Sequence, residues 1–159
     1  MNHVAIRLLT GLASLFMTFG FKAVAQVSWQ KIRSEAGVDV YFKQPENSRY
    51  YELKAVTEVR AGVHALVAVL KDAGRYDQWM HRAADTRLLD TLAVNDYVYY
   101  LRTDLPWPAR DRDMVVRTTI TPQAGGSVTT LSRNVKGYVP EKSNVNRMNF
   151  VRIRWKFTP

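Results

Sequence analysis

Hydrophobic and polar residues alternate along most of this chain, which is the pattern of half-buried β-strands. The alternation begins near Val27, is clear over Val38–Phe42 and returns over Tyr50–Val59. The polar stretch between the last two contains Pro45, so we predict two antiparallel strands joined by a short turn. The same pattern predicts further strands over Thr86–Leu92, Tyr97–Thr103, Met114–Thr121, Val128–Val139 and Arg147–Phe157.

The period changes only in the middle of the chain, where a helix is predicted. Apolar residues recur there at helical spacing, at Val63, Leu66, Val67 and Leu70. Gly74 suits the position just after a helix, and Asp77 is predicted to cap a second short helix that carries Trp79 and Met80. Many strands with few helical residues predict an α+β fold built on an antiparallel sheet.

Three of the predicted strands share a distinctive face of apolar and hydroxyl-bearing side chains. Its members are Tyr97, Tyr99, Leu101, Thr103, Met114, Val116, Thr118, Ile120, Val151, Ile153, Trp155 and Phe157. Apolar walls with scattered hydroxyls suit a hydrophobic ligand, although an ordinary closed core produces the same pattern. The opposite face of the last strand carries Arg152, Arg154 and Lys156, which predicts a basic stripe in solvent.

The segment Leu105–Asp113 reads LPWPARDRD and interrupts the strands. Its prolines predict a rigid connection, because proline cannot donate to a strand ladder. We expect a surface loop in which Trp107 packs against the protein. Asp111 and Asp113 are each flanked by arginine, which favours the ionised carboxylate and therefore structural pairing over proton transfer.

Residues 1–25 have the pattern of a secretory signal peptide. Arg7 supplies the positive charge, Leu8–Phe21 the apolar segment, and Ala23–Ala25 an A-x-A cleavage site. An uncleaved anchor is the competing interpretation, but the apolar segment is shorter than the ~20 residues of a spanning helix. We therefore expect a periplasmic or secreted protein with one domain over residues 26–159.

Composition narrows the possible chemistry. The chain has no cysteine, which excludes disulfides, thiolate zinc sites and cysteine nucleophiles. The formal net charge is +9, or +7 without Arg7 and Lys22, and in an exported protein this favours anionic membrane surfaces over nucleic acid. The alternative explanation is that the positive charge only keeps the protein soluble and has no anionic partner. His64 and His81 lie at no metal-ligand or nucleophile spacing, so we predict no catalytic site, metal or cofactor.

Several motifs together resemble the START family, the StAR-related lipid-transfer domains. They are Trp79 in YDQW, Pro-Trp-Pro around Trp107 with Arg112-Asp113 after it, the GYVP of Gly137–Pro140, Arg147 and Trp155. The resemblance spans about Trp29 to Phe157. It implies a helix-grip fold, in which a curved antiparallel sheet wraps a long C-terminal helix and a lipid or sterol lies between them.

Two departures from the family change what we expect. The chain ends at Pro159, before the family's last strand and roof helix, so we expect a truncated product, a roof supplied by a partner, or a dimer through an uncovered sheet face. Sterol-carrying members have a buried charge pair where this chain has Tyr99 and Thr118. Two neutral hydroxyls there weaken a sterol assignment more than a general lipid assignment.

The predicted function is an exported, non-enzymatic lipid-binding or lipid-transfer protein that holds one hydrophobic ligand against its sheet. The predicted cavity-lining residues are Tyr99, Leu101, Val116, Thr118, Ile153 and Trp155. Structural roles are assigned to Trp79, Trp107, Arg112 and Asp113. The alternative is a cyclase-like or hydrolase-like enzyme on the same fold, which requires His81, Asp111 or Asp113 to point into the cavity.

Overall fold

Strands dominate the computed structural model of the chain, which describes residues 28–48 and 50–159. The chain divides into one unit that ends at Glu58 and another over Val59–Pro159. The predicted signal peptide lies outside the described residues. In the described part, no helix has the length and apolar character needed to span a membrane.

The first unit contains a three-stranded antiparallel sheet. Its strands are β1 (Gln30–Glu35), β2 (Val38–Lys43) and β3 (Glu52–Thr57), in the order β1-β2-β3. Gly37 adopts φ +77° in the turn between β1 and β2, a conformation that glycine reaches without steric cost. The predicted pairing of β2 with β3 is confirmed. Their burial is not: Leu53 is 72% exposed, and none of the described residues up to Glu58 is buried.

The second unit begins with two short helices. Helix α1 spans Val63–Lys71, as the spacing predicts, and a 3-10 helix follows directly over Ala73–Gln78. The prediction that Asp77 caps this second helix is wrong, because the helix begins four residues earlier and Asp77 lies inside it. The backbone N–H of Arg75 donates to the Asp72 carbonyl at 3.0 Å, which starts the tighter turn at once.

The main sheet of the second unit has the strand order β4-β5-β6-β7-β9, and all of these neighbours are antiparallel. The strands are β4 (Ala83–Ala93), β5 (Asp96–Thr103), β6 (Arg112–Pro122), β7 (Val128–Asn134), β8 (Asn146–Arg147) and β9 (Arg152–Phe157). Strand β8 pairs with β6 in the parallel direction. The single strand predicted over Arg147–Phe157 is therefore two strands, since the Asn134 side chain bonds the backbone of Met148 and Val151 between them.

Strands β5 and β6 are buried on both faces, and the two faces differ in the side chains that they carry. The cavity face, named for the cavity described below, carries Tyr97, Tyr99, Leu101, Met114, Val116 and Ile120. The closed face carries Val98, Tyr100 and Val115, against which Leu89, Val135 and Val139 pack. Residues from the connection after β7 thus cover the closed face. The predicted α+β fold, with short helices after the first strands, is confirmed.

Candidate ligand-binding site

A cavity of about 70 Å³ lies on the cavity face, entirely within the second unit. The main sheet and both helical segments contribute to it. Its lining residues are Leu70, Tyr76, Met80, Tyr97, Tyr99, Met114, Thr118, Thr130, Ser132, Ile153 and Trp155. All of these side chains are uncharged, and six of them carry a hydroxyl group. The cavity therefore combines apolar walls with hydrogen-bonding groups that bear no formal charge.

On one side of the cavity, two tyrosine hydroxyls form hydrogen bonds with the last turn of α1. Tyr76 donates to the Leu70 carbonyl oxygen at 2.5 Å, and Tyr97 donates to the same oxygen at 2.6 Å. Carbonyls in the last turn of a helix lack partners within the helix, so the two hydroxyls satisfy an acceptor that would otherwise be buried alone. With their protons committed to Leu70, the two phenolic oxygens are left as acceptors.

Strand β7 presents two further hydroxyls, and their surroundings differ. Ser132 lies opposite Thr118 on β6, and the two hydroxyl oxygens are 2.6 Å apart, a short hydrogen bond. Thr130 lies two residues earlier on the same face and is 1% exposed. Its Oγ1 has no hydrogen-bond partner among the residues that the structure describes. One of the two β7 hydroxyls is thus satisfied and the other is not.

The tyrosines in the cavity stay protonated at physiological pH. Burial raises the pKa of Tyr76, Tyr97 and Tyr99 above the ordinary value, because the phenolate is poorly solvated there. The Tyr76 ring packs edge-on against Tyr99, with ring centroids 5.1 Å apart. The site is consequently neutral and aromatic, and it cannot supply an anion or a cation to a ligand.

The structure brings four of the six predicted cavity residues to the cavity. Tyr99, Thr118, Ile153 and Trp155 line it, with Trp155 39% exposed. Leu101 and Val116 do not line it, since they are buried in the hydrophobic cluster of the same face. Alternation along a strand identifies the face on which a residue lies but not whether that residue reaches a void.

Seven lining residues are missing from the predicted set: Leu70, Tyr76, Met80, Tyr97, Met114, Thr130 and Ser132. Tyr97 and Met114 do belong to the face that the pattern identified. Thr130 and Ser132 alternate along β7, and this period-two signal was available in the sequence. Tyr76 carries no comparable signal, because its burial depends on where the 3-10 helix begins.

Asp113 of the Arg-Asp motif is structural, and its partner is Arg147, not a flanking arginine. Asp113 is 1% exposed and accepts from Arg147 Nε at 2.7 Å and Nη2 at 3.0 Å. Arg147 also donates to the carbonyls of Val139 and Pro140 at 3.1 and 3.3 Å. Burial alone raises the pKa of Asp113, but hydrogen bonds from Arg147 and its positive charge outweigh burial and lower it overall. Arg112 is exposed.

The rigid connection between β5 and β6 is held by Asp111. Its carboxylate accepts from Arg102 Nη1 at 2.7 Å and from the backbone N–H of Leu105 at 3.1 Å. Trp107 is 92% exposed, so the prediction that it packs against the protein is wrong. Trp79 is also exposed in part, with its ring edge-on to Tyr76 at 5.3 Å. This connection keeps its shape through Asp111 without burying Trp107.

The residues required by the enzyme alternative are not at the cavity. His81 is exposed, and neither it nor Asp111 nor Asp113 lines the cavity. Within residues 28–48 and 50–159, no three His, Asp or Glu side chains cluster in a way that could hold a metal ion. The arrangement provides binding groups, and at these positions it brings no acid–base pair to a ligand.

The chain matches a family model described as START domain over residues 22–154. It is 28% identical over 151 residues to an uncharacterized protein of Pseudomonas aeruginosa, covering 95% of this chain and 74% of the relative. A StAR-related lipid transfer protein from Xanthomonas axonopodis has a similar structure, with TM-score 0.77 and 27% identity over 82% of this chain and 73% of that one. The lipid transfer and protein localization domain of human StarD13 shares the fold, with TM-score 0.71 and 19% identity over 82% and 69% of the two chains.

Proposed function

The chain belongs to the START domain family, as its Pro-Trp-Pro and Arg-Asp motifs predicted, and on this premise we propose that it binds a lipid on its cavity face. The observation that carries the proposal is the cavity itself, where apolar and hydroxyl-bearing side chains converge without a charge. Such walls favour a hydrophobic ligand, and a few polar groups fix its orientation. The related Xanthomonas protein is described as a lipid transfer protein, which supports the same assignment.

The size of the cavity indicates which part of the ligand it encloses. Pockets for drug-sized ligands measure roughly 300–1,000 Å³, whereas this cavity measures about 70 Å³. It therefore holds one end of a single lipid. The remaining hydrocarbon lies along Ile153 and Trp155, whose partial exposure leaves apolar surface beside the cavity. Burying that surface supplies binding free energy at about 25 cal/mol per Å².

We also propose where the protein acts. The signal-peptide pattern of residues 1–25 supports export to the periplasm or beyond. The exposed residues Arg152, Arg154 and Lys156 of β9 support a peripheral contact with anionic membrane surfaces, from which a lipid is taken or to which it is delivered. A dimer through the cavity face remains a separate hypothesis, and size-exclusion chromatography tests it directly.

Uptake of fluorescent lipids by the delipidated full-length chain tests the proposal. Thr118→Arg places a long cation in the cavity and should abolish uptake of a neutral lipid. Thr119→Arg is the matched control, since Thr119 is the exposed neighbour on the same strand and should tolerate the same side chain. Trp155→Ala provides a milder variant, which should weaken uptake while circular dichroism stays unchanged. If the wild-type chain takes up no fatty acid, sterol or phospholipid, the proposed function is wrong.

A further inference from the structure

The unsatisfied hydroxyl of Thr130 indicates what the bound end of the ligand is. A buried hydroxyl without a partner destabilises a protein, because the group has lost its hydrogen bonds to water. Thr130 pairs across the sheet with Ile120 on β6, which has no polar side-chain atom, and with Trp155 on β9. Ser132, two residues along, has the same orientation but lies opposite Thr118 and bonds it. Of these two β7 hydroxyls, that of Thr130 is the one without a partner among the described residues. The Tyr100 hydroxyl also has none, but it lies on the closed face and does not line the cavity.

We propose that the lipid is bound by an uncharged hydroxyl group at its polar end, and that Thr130 forms a hydrogen bond with this group inside the cavity. This inference rests on the proposed function and specifies its ligand class. Long-chain alcohols and monoacylglycerols are members of that class.

The hydrogen-bonding inventory of the cavity favours a group that both donates and accepts. Tyr76 and Tyr97 have committed their protons to Leu70 and act as acceptors. The pair Thr118–Ser132 uses one of its two protons internally, and the second has the Tyr97 and Tyr99 oxygens as neighbouring acceptors. Thr130 offers a donor and an acceptor, and both are unused among the described residues. A ligand hydroxyl complements this mixture, whereas an ether lacks the donor.

Charged head groups fit the cavity less well. A carboxylate only accepts and would be buried without a cation, while an ammonium group would be buried without a carboxylate. A quaternary ammonium is the strongest competitor, because the rings of Tyr76, Tyr97 and Tyr99 offer cation–π contacts. Volume agrees with a small group, because the cavity measures about 70 Å³ and pockets that enclose a whole drug-sized ligand measure roughly 300–1,000 Å³.

The test compares three amphiphiles that share one chain length and differ in head group. They are 1-decanol, decanoate at pH 8 and decyltrimethylammonium, and each displaces the neutral fluorophore N-phenyl-1-naphthylamine from the full-length chain. We expect 1-decanol to bind about tenfold more tightly than either charged compound, the effect of roughly one well-made buried hydrogen bond. Stronger binding of decanoate or of the ammonium compound overturns the inference but leaves lipid binding intact. If none of the three binds or displaces the fluorophore, the proposed function itself fails.

Substitutions at two neighbouring positions of β7 test whether Thr130 is the residue that determines the preference for 1-decanol. Thr130→Val keeps the shape and removes the hydroxyl, so it should weaken 1-decanol binding by about three- to tenfold and leave the ammonium compound unaffected. Its Tm without ligand should stay equal or rise, since the unsatisfied group is gone. Thr129→Val is the matched control from the neighbouring position, whose side chain lies on the other face and bonds Thr121. Thr130→Ser should retain wild-type preference. Unchanged 1-decanol affinity in Thr130→Val overturns the inference.

Discussion

The two faces of β5 and β6 are formed by alternate residues of the same strands, and they differ in packing and in hydrogen bonding. On the closed face, Val98, Tyr100 and Val115 are packed under Val135 and Val139. A buried ion pair between Asp113 and Arg147 lies beside them, with every carboxylate oxygen bonded. The cavity face carries tyrosine, threonine and serine around a void, and one of its hydroxyls has no partner among the described residues. The Tyr100 hydroxyl on the closed face also has no hydrogen-bond partner among the described residues, but it lies among packed side chains and does not line the cavity. The closed face stabilises the fold, and the Thr130 hydroxyl leaves the cavity face with unused binding capacity.

Removing Arg147 should produce the largest effect, and it should be an effect on stability. Arg147→Met leaves the buried Asp113 carboxylate without a counter-ion, which costs about 3–5 kcal/mol of unfolding free energy. Urea denaturation followed by circular dichroism measures the change. Arg112→Met is the matched control, because Arg112 is exposed next to Asp113 and should change stability by less than about 0.5 kcal/mol. Equal losses in the two variants would contradict the assignment of the ion pair.

The same ion pair should make the protein sensitive to acid. The pKa of Asp113 is lower in the folded protein than its unfolded value of about 3.9, so the unfolded state binds more protons at low pH. The stabilisation by Asp113 is then fully present above the unfolded pKa and is lost as the pH falls through the folded pKa. Urea titrations from pH 7 down to about pH 2 should show wild type and Asp113→Asn converging only below the unfolded pKa of about 3.9. Parallel curves would mean that another carboxylate is responsible.

A hydrogen bond on the cavity face should contribute less. Ser132→Ala leaves the buried Thr118 hydroxyl without its partner and should cost about 1–3 kcal/mol. The double variant Thr118→Val/Ser132→Ala removes both polar groups, so much of the stability should return. Thermal unfolding of the two single variants and the double variant gives the coupling between them. Strict additivity of the changes would show that the bond contributes nothing to stability.

An exposed pair provides the smallest effect and sharpens the contrast with Asp113–Arg147. Arg117 bonds Asp96 through Nε at 2.8 Å, but more than half of the Arg117 side chain is in solvent. Arg117→Met should therefore cost no more than about 1 kcal/mol. High salt should reduce this cost further, since solvent ions screen exposed charges. Denaturation at low and high ionic strength checks both points, and a loss as large as that of Arg147→Met would remove the distinction between them.

The pattern of hydrophobic and polar residues predicted the features that depend on residues close together in the sequence. Alternation located the strands, and helical spacing located α1. Gly74, which was predicted to lie just after the helix, lies instead inside the 3-10 helix that follows it. The pairing of Asp113 with Arg147 joins residues 34 positions apart, so only the family resemblance hinted at the importance of both. Leu53 shows that the local pattern also fails to predict burial. Its strand was predicted, but alternation says nothing about what covers a face, and Leu53 is exposed.

The cavity was predicted in part for a similar reason. Tyr99 and Thr118 lie on strands whose faces the sequence identifies, so their place in the lining follows from period two. Tyr76 comes from a 3-10 helix whose start was misplaced, and its role depends on the Leu70 carbonyl within reach. Trp107 was predicted to pack against the protein in a surface loop, but it is exposed. The carboxylate of Asp111 fixes its connection instead, so Trp107 needs no packing to hold the shape.

Because two cavity tyrosines share the Leu70 carbonyl oxygen as an acceptor, the last turn of α1 should respond to changes in the cavity. Tyr76 and Tyr97 hold this carbonyl from the cavity side, so any movement of either ring is transmitted to the last turn of the helix. Exchange of the backbone amides around Ala68–Asp72 with deuterated solvent therefore follows how firmly the two rings are held. A lipid that carries neither a label nor a chromophore should therefore be detectable through slower amide exchange in the last turn of α1, where Leu70 lines the cavity.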